Sequence, residues 1–230
     1  MKKLGLVGGM GPESTISYYR GIVYGARERV GDGYFPTLIM ESVNVFDVLR
    51  LCGEQNYEEL TEYLLRAVRH LVRGGADFAA IAANTPHIVF ERLKERSPIP
   101  LVGIVESACQ EAERRNLKKL GLLGTGSTAT EVFFRQAFLR RGMEIIVPPQ
   151  EERDYVHQKI SSELEHGVVK SETLGAFQTI ISNLRSEARI DAVILGCTEL
   201  PLLLNEDVSP VPCLDAMEIH IRAIIEEMLR

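Results

Sequence analysis

The chain has 230 residues, of which 45% are hydrophobic and 25% are charged, a composition typical of a globular protein with one large domain or two small ones. Its formal net charge of −6 and its lack of a dense lysine and arginine stripe argue against a general nucleic-acid binder. Its longest apolar runs, such as 79–83, are far shorter than the roughly 20 residues that a membrane span needs.

In chain order, short apolar runs that end in glycine or polar residues alternate with segments of helical periodicity. The runs predict buried parallel strands at Leu4–Val7, Thr37–Met40, Phe78–Ala82, Leu101–Ile104, Leu120–Leu123 and Ala192–Leu195. The periodic segments predict helices at Tyr57–Arg73, Glu131–Arg141, Tyr155–Glu165 and Ala216–Leu229. Because strands alternate with helices, we expect an α/β fold of mostly parallel sheets flanked by helices.

The start of the chain combines a basic pair with an apolar run that leads directly into a glycine loop. That run is too short for the hydrophobic region of a secretory signal, so we expect a cytoplasmic protein. The cysteines form no C-x-x-C pair and have no zinc-ligand spacing, so we expect free thiols and no metal site. They are Cys52, Cys109, Cys197 and Cys213.

Two pairs of segments echo each other along the chain. Residues 3–9 (KLGLVGG) return as 119–125 (KLGLLGT), and residues 78–85 (FAAIAANT) return as 191–198 (DAVILGCT). Leu4 precedes Ala83 by 79 positions, and Leu120 precedes Cys197 by 77. This near-equal separation predicts two similar lobes that arose by duplication. The prolines at 98 and 100 predict the boundary, giving lobe 1 as 1–98 completed by a C-terminal helix within 212–230, and lobe 2 as 99–211.

Ligands of open parallel sheets bind beyond the carboxyl ends of the strands. Small and polar residues follow four of the predicted strands, in the segments 8–15, 83–87, 125–128 and 196–199. If the lobes face each other, these four loops converge on one cleft, where backbone N–H groups at helix starts would meet a carboxylate or a small phosphate. Residues 9–14 begin like a dinucleotide-binding loop, but serine replaces its third glycine and Pro12 removes a backbone donor.

Cys197 lies between Gly196 and Thr198, at the polar exit of a predicted buried strand. A structural cysteine would more naturally lie inside the apolar run, so we interpret Cys197 as functional. We expect the helix start that follows to lower the pKa of its thiol. Thr198 and Glu199 are placed to orient the thiol or to accept its proton.

The segments Gly8–Thr15, Asn84–His87, Leu122–Thr125 with Thr128, and Gly196–Glu199 together resemble the aspartate/glutamate racemase superfamily in order and spacing. The resemblance implies two pseudo-symmetric α/β lobes with the active site in the cleft between them. It further implies a racemase that uses no pyridoxal phosphate or other cofactor and acts on a small amino-dicarboxylate. Members are often dimers, so it implies a homodimer as well.

Family members typically use two opposed thiols, one in each lobe, to remove the α-proton and to return a proton on the opposite face. The resemblance carries the second thiol onto Cys197. We expect the substrate to contact Met10, Asn84, Thr85, Thr125, Thr128, Thr198 and Glu199. Arg50 is either a ligand of the distal carboxylate or an exposed helix charge, and Glu165 occupies a stretch where a lysine would suit such a substrate.

The first thiol of the family usually precedes the residue that corresponds to Asn84, and here that residue is Ala83, which cannot exchange a proton. Three interpretations stay open. Ala83 is an engineered replacement of an acid/base; or the enzyme racemises poorly or in one direction, using water or a side chain such as His87; or Cys197 works alone, as in decarboxylases or isomerases that protonate an enolate. A catalytically lapsed amino-acid-binding protein is the alternative of another class.

Overall fold

A computed structural model of the protein describes residues 1–125 and 132–230. These residues form two compact units, the first comprising Met1–Ser107 with Met217–Arg230 and the second comprising Ala108–Ala216. Each unit contains one four-stranded parallel sheet with helices packed against it, so the predicted α/β architecture is confirmed. Within the described ranges, no helix combines the length and the apolar character that a membrane span requires.

The first unit is built on a sheet of order β2-β1-β3-β4. Its strands are β1 (Leu4–Gly8), β2 (Leu38–Ser42), β3 (Phe78–Ile81) and β4 (Leu101–Val102). Its helices are α1 (Pro12–Val30), α2 (Val45–Gly53), α3 (Tyr57–Arg73) and α4 (Phe90–Arg96), and a 3-10 turn occupies Thr85–Val89. The chain passes into the second unit within α5 (Ile104–Arg114).

The second unit repeats this pattern with a sheet of order β6-β5-β7-β8. Its strands are β5 (Lys119–Leu123), β6 (Glu144–Ile146), β7 (Ala192–Leu195) and β8 (Cys213–Asp215). Its helices are α6 (Val132–Leu139), α7 (Gln150–Ser162) and α8 (Ser171–Ala188), with 3-10 turns at Leu164–His166 and Leu200–Leu202. The last helix, α9 (Ala216–Leu229), lies almost entirely in the first unit.

Helix α3 shows why the sequence folds in this way. The Asn56 side chain accepts a hydrogen bond from the Glu59 N–H and so caps the helix start. Four apolar positions spaced at helical intervals, Leu60, Leu64, Val68 and Leu71, are completely buried in the core of the first unit. Full burial of each such side chain contributes about 1.5 to 3 kcal/mol, which fixes the face that α3 turns inward.

The unit boundaries differ from those expected from the prolines. Strand β4 pairs with β3 in the first sheet, so the first unit extends past residue 98 to Ser107. Strand β8 pairs with β7 in the second sheet, so residues 212–216 belong to the second unit. The prolines precede edge strands: the C=O groups of Pro100 and Pro212 accept hydrogen bonds from β3 and β7.

Within each of the two sheets, the central strand pairs with its neighbour in an equivalent register. Leu4 lies opposite Phe78 in the first sheet, and Leu120 lies opposite Ala192 in the second. An aspartate directly before β3 or β7 accepts a hydrogen bond from the backbone N–H at the start of the central strand. The two bonds are Lys3 N–H to Asp77 at 2.7 Å and Lys119 N–H to Asp191 at 2.8 Å.

Gly5 on β1 leaves room for α3. A Cβ atom there would lie 2.9 Å from the Cβ of Leu71 and 3.0 Å from that of Ala76, both fixed by the backbone. We expect Gly5→Ala to lower the free energy of unfolding by about 1 to 3 kcal/mol, because neither neighbour can rotate away. The matched control is Gly53→Ala in α2, where a Cβ would meet nothing within 4 Å. Urea denaturation followed by circular dichroism measures both, and equal stability of the two variants would contradict the packing argument.

Candidate active site

The glycine loop after β1 is held in shape by its own hydrogen bonds. Gly9 has a φ of +86°, and a Cβ there would lie 2.3 Å from the Val43 carbonyl oxygen, so only glycine fits. The Gly9 N–H donates to the Thr15 hydroxyl oxygen at 2.9 Å, and that hydroxyl donates to the Gly11 carbonyl at 2.8 Å. Met10 lies between these bonds and packs against the core of the first unit.

The loop after β3 carries Ala83, Asn84 and Thr85. Ala83 is buried, with 8% of its surface exposed, whereas Asn84 and Thr85 are half-buried. The Ala82 N–H donates to the Val7 carbonyl at 2.9 Å, which extends the β1–β3 pairing by one residue beyond the strand. The structure thus brings the predicted residues of this loop to the same sheet edge as the glycine loop.

His87 turns into the core of the first unit. Its Nδ1–H donates to the Ala83 carbonyl at 2.8 Å, and its Nε2 accepts from the Ile104 N–H at 3.2 Å. Burial and the nearby His220 lower its pKa from 6.5 to about 3. A neutral ring with both nitrogens in use cannot exchange protons with a substrate, which contradicts the interpretation of His87 as the substitute acid/base.

The loop after β7 brings a thiol, a hydroxyl and a carboxylate together. The Cys197 Sγ–H donates to Glu199 Oε2 at 2.8 Å, and the Thr198 hydroxyl donates to Glu199 Oε1 at 2.8 Å. One carboxylate thus binds both neighbouring side chains. The sequence predicted these three residues as a group, and the structure places them in direct contact.

The expected lowering of the Cys197 pKa is wrong. Burial, then the charge and hydrogen bonding of Glu199, and then the charge of Glu165 raise the pKa of this thiol well above its ordinary value. The element that follows is a 3-10 turn of three residues rather than an α-helix, so it supplies little dipole. Cys197 is therefore a protonated thiol at neutral pH.

The strand registers relate Ala83 to Cys197. The Ala82 N–H donates to the carbonyl of Val7, one residue before the end of β1, and the Gly196 N–H donates to the carbonyl of Leu123, at the end of β5, at 2.7 Å. The residue after each, Ala83 or Cys197, occupies the same place relative to its own sheet. The echo of eight residues noted in the sequence is shifted by one from this alignment, since it pairs Ala83 with Gly196.

The remaining residues predicted from the sequence differ in exposure and in contacts. Thr125 is half-buried directly beyond β5, and Thr128 lies outside the described residues. Arg50 is half-exposed on α2 and forms an ion pair with Glu54 at 2.9 Å. The described parts of the chain contain no group of three His, Cys, Asp or Glu side chains that could hold a metal ion.

One ionic cluster was not anticipated from the sequence. Glu163, 4% exposed, accepts hydrogen bonds from Lys159, Lys170 and Thr173 at 2.7, 3.1 and 2.6 Å. These donors, led by Lys159 and Thr173, lower the pKa of Glu163 to about 2. The cluster anchors the turn that carries Glu165. The only signal in the sequence is the Lys159–Glu163 spacing of four residues on a helix.

Comparison with known proteins shows which family has this arrangement. A family model described as Asp/Glu/Hydantoin racemase matches residues 7–224. The broad specificity amino-acid racemase RacX of Bacillus subtilis is 24% identical over 222 residues, which cover 93% of this chain and 92% of the relative. A glutamate racemase of Aquifex aeolicus is 26% identical, and that alignment covers 67% of this chain but only 58% of the relative.

Solved structures share the whole fold. An aspartate racemase homologue from Pyrococcus horikoshii is 35% identical, with a TM-score of 0.92 and full coverage of both chains. An aspartate racemase from Picrophilus torridus, at 20% identity, has a TM-score of 0.76 and covers 99% of this chain and 94% of its own. The second likeness is one of fold alone.

Removing the carboxylate next to Cys197 tests the cause of its raised pKa. We expect Glu199→Gln to increase the rate of Cys197 alkylation by iodoacetamide at pH 8 by about tenfold, because loss of a neighbouring negative charge favours the thiolate. Peptide mass spectrometry over a pH series measures the rate. Glu187→Gln, at an exposed position of α8, is the control and should leave the rate unchanged. An unchanged rate in Glu199→Gln would assign the shift to burial alone.

Two buried histidines predict acid sensitivity of the first unit. Burial lowers the pKa of His220 to about 4, and that of His87 is about 3, so both stay neutral in the folded state while the unfolded chain takes up protons below pH 6.5. The free energy of unfolding therefore falls as pH drops from 6.5 towards 4, by about 1.4 kcal/mol per pH unit for each histidine.

Denaturation with urea at pH 7.5, 6 and 5 measures this slope. Replacing the buried ring in His220→Leu should halve the slope, even though the variant is less stable at every pH. The exposed His157 provides the control, and His157→Gln should keep the full slope. A slope that His220→Leu does not change would show that other groups take up the protons.

Proposed function

We propose that this chain, which belongs to the Asp/Glu/hydantoin racemase family, is a cofactor-independent amino-acid racemase that moves the α-proton of aspartate-like or glutamate-like substrates through Cys197. The observation that carries the proposal is the contact of Cys197 with Glu199 beyond the end of β7. We expect the enzyme to act in the cytoplasm, as the apolar patterning of the sequence suggests, and to form a homodimer, as the family resemblance implies.

The thiol and the carboxylate form a proton-transfer pair. To act as a base, Cys197 passes its S–H proton to Glu199, and the thiolate then takes the α-proton of the substrate. To act as an acid, the thiol gives its proton to the α-carbon and regains one from Glu199. The protonated resting state, which burial and Glu199 favour, makes the acid direction the easier one.

The α-hydrogen of an amino acid is very weakly acidic, so the developing enolate-like carboxylate needs fixed donors. The hydroxyl of Thr85 and the amide of Asn84 are the side-chain donors that we propose for it, and the hydroxyl of Thr198 joins them when it turns from Glu199 to the substrate. The backbone N–H groups of the loop at Met10 add donors that need no reorganisation. Proposed contacts from Thr125, Thr128 and Glu199 would complete the substrate site.

Ala83 sets the character of the reaction. It stands in its sheet where Cys197 stands in the other, and alanine has no proton to give. We therefore propose that the chain exchanges the α-hydrogen on one face of the substrate far faster than it inverts the α-carbon. The names of the relatives support amino acids as substrates, from the broad range of RacX to the aspartate and glutamate racemases.

A second candidate follows from the single protonated thiol. An enzyme that forms an enolate by loss of carbon dioxide needs only one acid to protonate it from one face. Cys197 meets that need without a partner at position 83. Substituted malonates are the substrates that would reveal such a decarboxylase.

Incubation in D₂O with L- and D-aspartate and L- and D-glutamate tests the main proposal. We expect the wild-type chain to exchange the α-hydrogen of one enantiomer without inversion, and Ala83→Cys to increase racemisation by at least tenfold, because the second face then gains a proton donor. NMR measures α-deuterium, and chiral chromatography measures the enantiomers.

The control for this experiment is Cys197→Ala, alone and combined with Ala83→Cys. Both controls should abolish inversion, since each leaves at most one thiol. Binding of an amino acid by calorimetry without exchange in either active chain would favour the lapsed binding protein. Neither exchange nor binding with any of the four substrates would exclude the amino-dicarboxylate proposal and make the malonate assay decisive.

A further inference from the structure

We infer that His87 is a positioning residue for the acid/base position of the first unit. Its ring fixes the main chain at residue 83 and thereby sets the direction in which a side chain there points. The inference rests on the proposed function, because position 83 is the place at which that proposal expects an introduced thiol to deliver the second proton.

The peptide groups around residue 83 are held on both sides. The group before it is fixed by the Ala82 N–H, which donates to Val7 at 2.9 Å. The group after it is fixed by the Ala83 carbonyl, which accepts from His87 Nδ1 at 2.8 Å. The next carbonyl, that of Asn84, accepts from the His87 backbone N–H at 2.9 Å. His87 therefore supplies both the ring bond to Ala83 and the backbone bond to Asn84.

The neutral form of the ring is required for this role. Nδ1 faces a carbonyl and must donate, while Nε2 faces the Ile104 N–H at 3.2 Å and must accept. Only the tautomer with a proton on Nδ1 satisfies both neighbours. A second proton on Nε2 would oppose the Ile104 N–H and detach the loop from the start of α5.

Aromatic neighbours prevent the ring from turning. His87 stacks on Phe90 with centroids 4.8 Å apart and planes 18° apart, and His220 meets it edge-on at 6.2 Å. Phe90 packs against Gly103, where a Cβ would lie 2.6 Å from the ring. His220 is itself held by the Tyr18 hydroxyl at 2.8 Å and by the Val102 carbonyl at 3.0 Å.

The titratable groups that face His87 are few. His220 on α9 lies at its edge, and Tyr18 on α1 stands behind His220. The elements that carry its bonding partners, the end of β3 and the start of α5, meet it with main-chain groups. Among these groups there is no carboxylate that would stabilise a protonated His87. The two hydrogen bonds of its ring, which together we call the imidazole clamp, therefore persist throughout the neutral pH range.

In the second unit, other contacts hold the corresponding loop after β7. By register the counterpart of His87 is Pro201, which has neither an imidazole nor a backbone N–H. There Glu199 holds the sulfur of Cys197 directly, and the Cys197 carbonyl accepts from the backbone N–H of Leu200 at 3.2 Å rather than from an imidazole. An imidazole clamp is thus a feature of the first unit alone among these two loops.

The clamp is tested in the Ala83→Cys background by two substitutions. His87→Leu removes both ring bonds, and we expect it to lower the kcat of racemisation at least tenfold with KM changed by less than threefold, while the exchange that Cys197 carries out alone continues. His87→Asn keeps a donor close to the place of Nδ1, and we expect it to restore kcat to within threefold. Leu93→Ala is the control, since it loosens the same core while leaving both ring bonds and the aromatic neighbours of His87 in place, and it should leave kcat within threefold.

A merely structural role would give a different pattern. His87→Leu and Leu93→Ala would then lower kcat equally, and His87→Asn would not rescue it, which would overturn the inference. Nitrogen NMR of the wild-type imidazole provides a measurement that does not depend on the variants folding. A proton on Nε2 rather than Nδ1 at pH 7 would also overturn it.

A separate measurement distinguishes failure of the racemase proposal from failure of the inference about His87. If Ala83→Cys shows no exchange, the racemase proposal fails, and the clamp is then judged by alkylation of the introduced thiol. We expect His87→Leu to raise the rate of that alkylation at least fivefold while the rate at Cys197 stays within twofold. Equal rates at position 83 with and without the imidazole would overturn the inference in that case.

Discussion

The pairing of a central strand with the strand that ends in a polar loop is the constraint on which both units depend. In each sheet an aspartate before β3 or β7 binds the backbone at the start of β1 or β5, which sets the register at one end of the pair. Because parallel strands advance in step, the same register fixes which residue emerges at the other end. Ala83 and Cys197 are those residues. If the strand pairing slipped by one position, a neighbour of Cys197 would take the place at the strand end that the thiol now occupies.

At these equivalent strand ends, the two loops are held by different kinds of contact. In the first, a buried imidazole binds the main chain and ignores the side chain, which is only a methyl group. In the second, a carboxylate binds the side chain of Cys197 and raises its pKa. The two units therefore share the geometry of the strand ends and differ in the chemistry that those ends carry.

Local patterns predicted those parts of the structure that local forces determine. Helix α3 has the predicted bounds of 57–73 because a cap, an apolar stripe and a glycine coincide there. Strands β6 and β8 were not predicted, since three residues each give no periodic signal. The direction in which the pKa of Cys197 shifts depends on the side chain that the thiol faces. The ring bonds of His87 depend on Ile104, 17 residues away, and no local pattern encodes them.

The way in which position 83 is held has an evolutionary consequence. The bonds described above engage main-chain atoms of residues 82 to 84 rather than the side chain at position 83, so a point mutation at 83 alters the reactive group without removing those bonds. Position 197 lacks this freedom, because replacing its sulfur would leave the Glu199 carboxylate without one of its two bonded neighbours. The first loop is therefore the site at which a lineage can change its chemistry by single codons, while the second loop must change as a set.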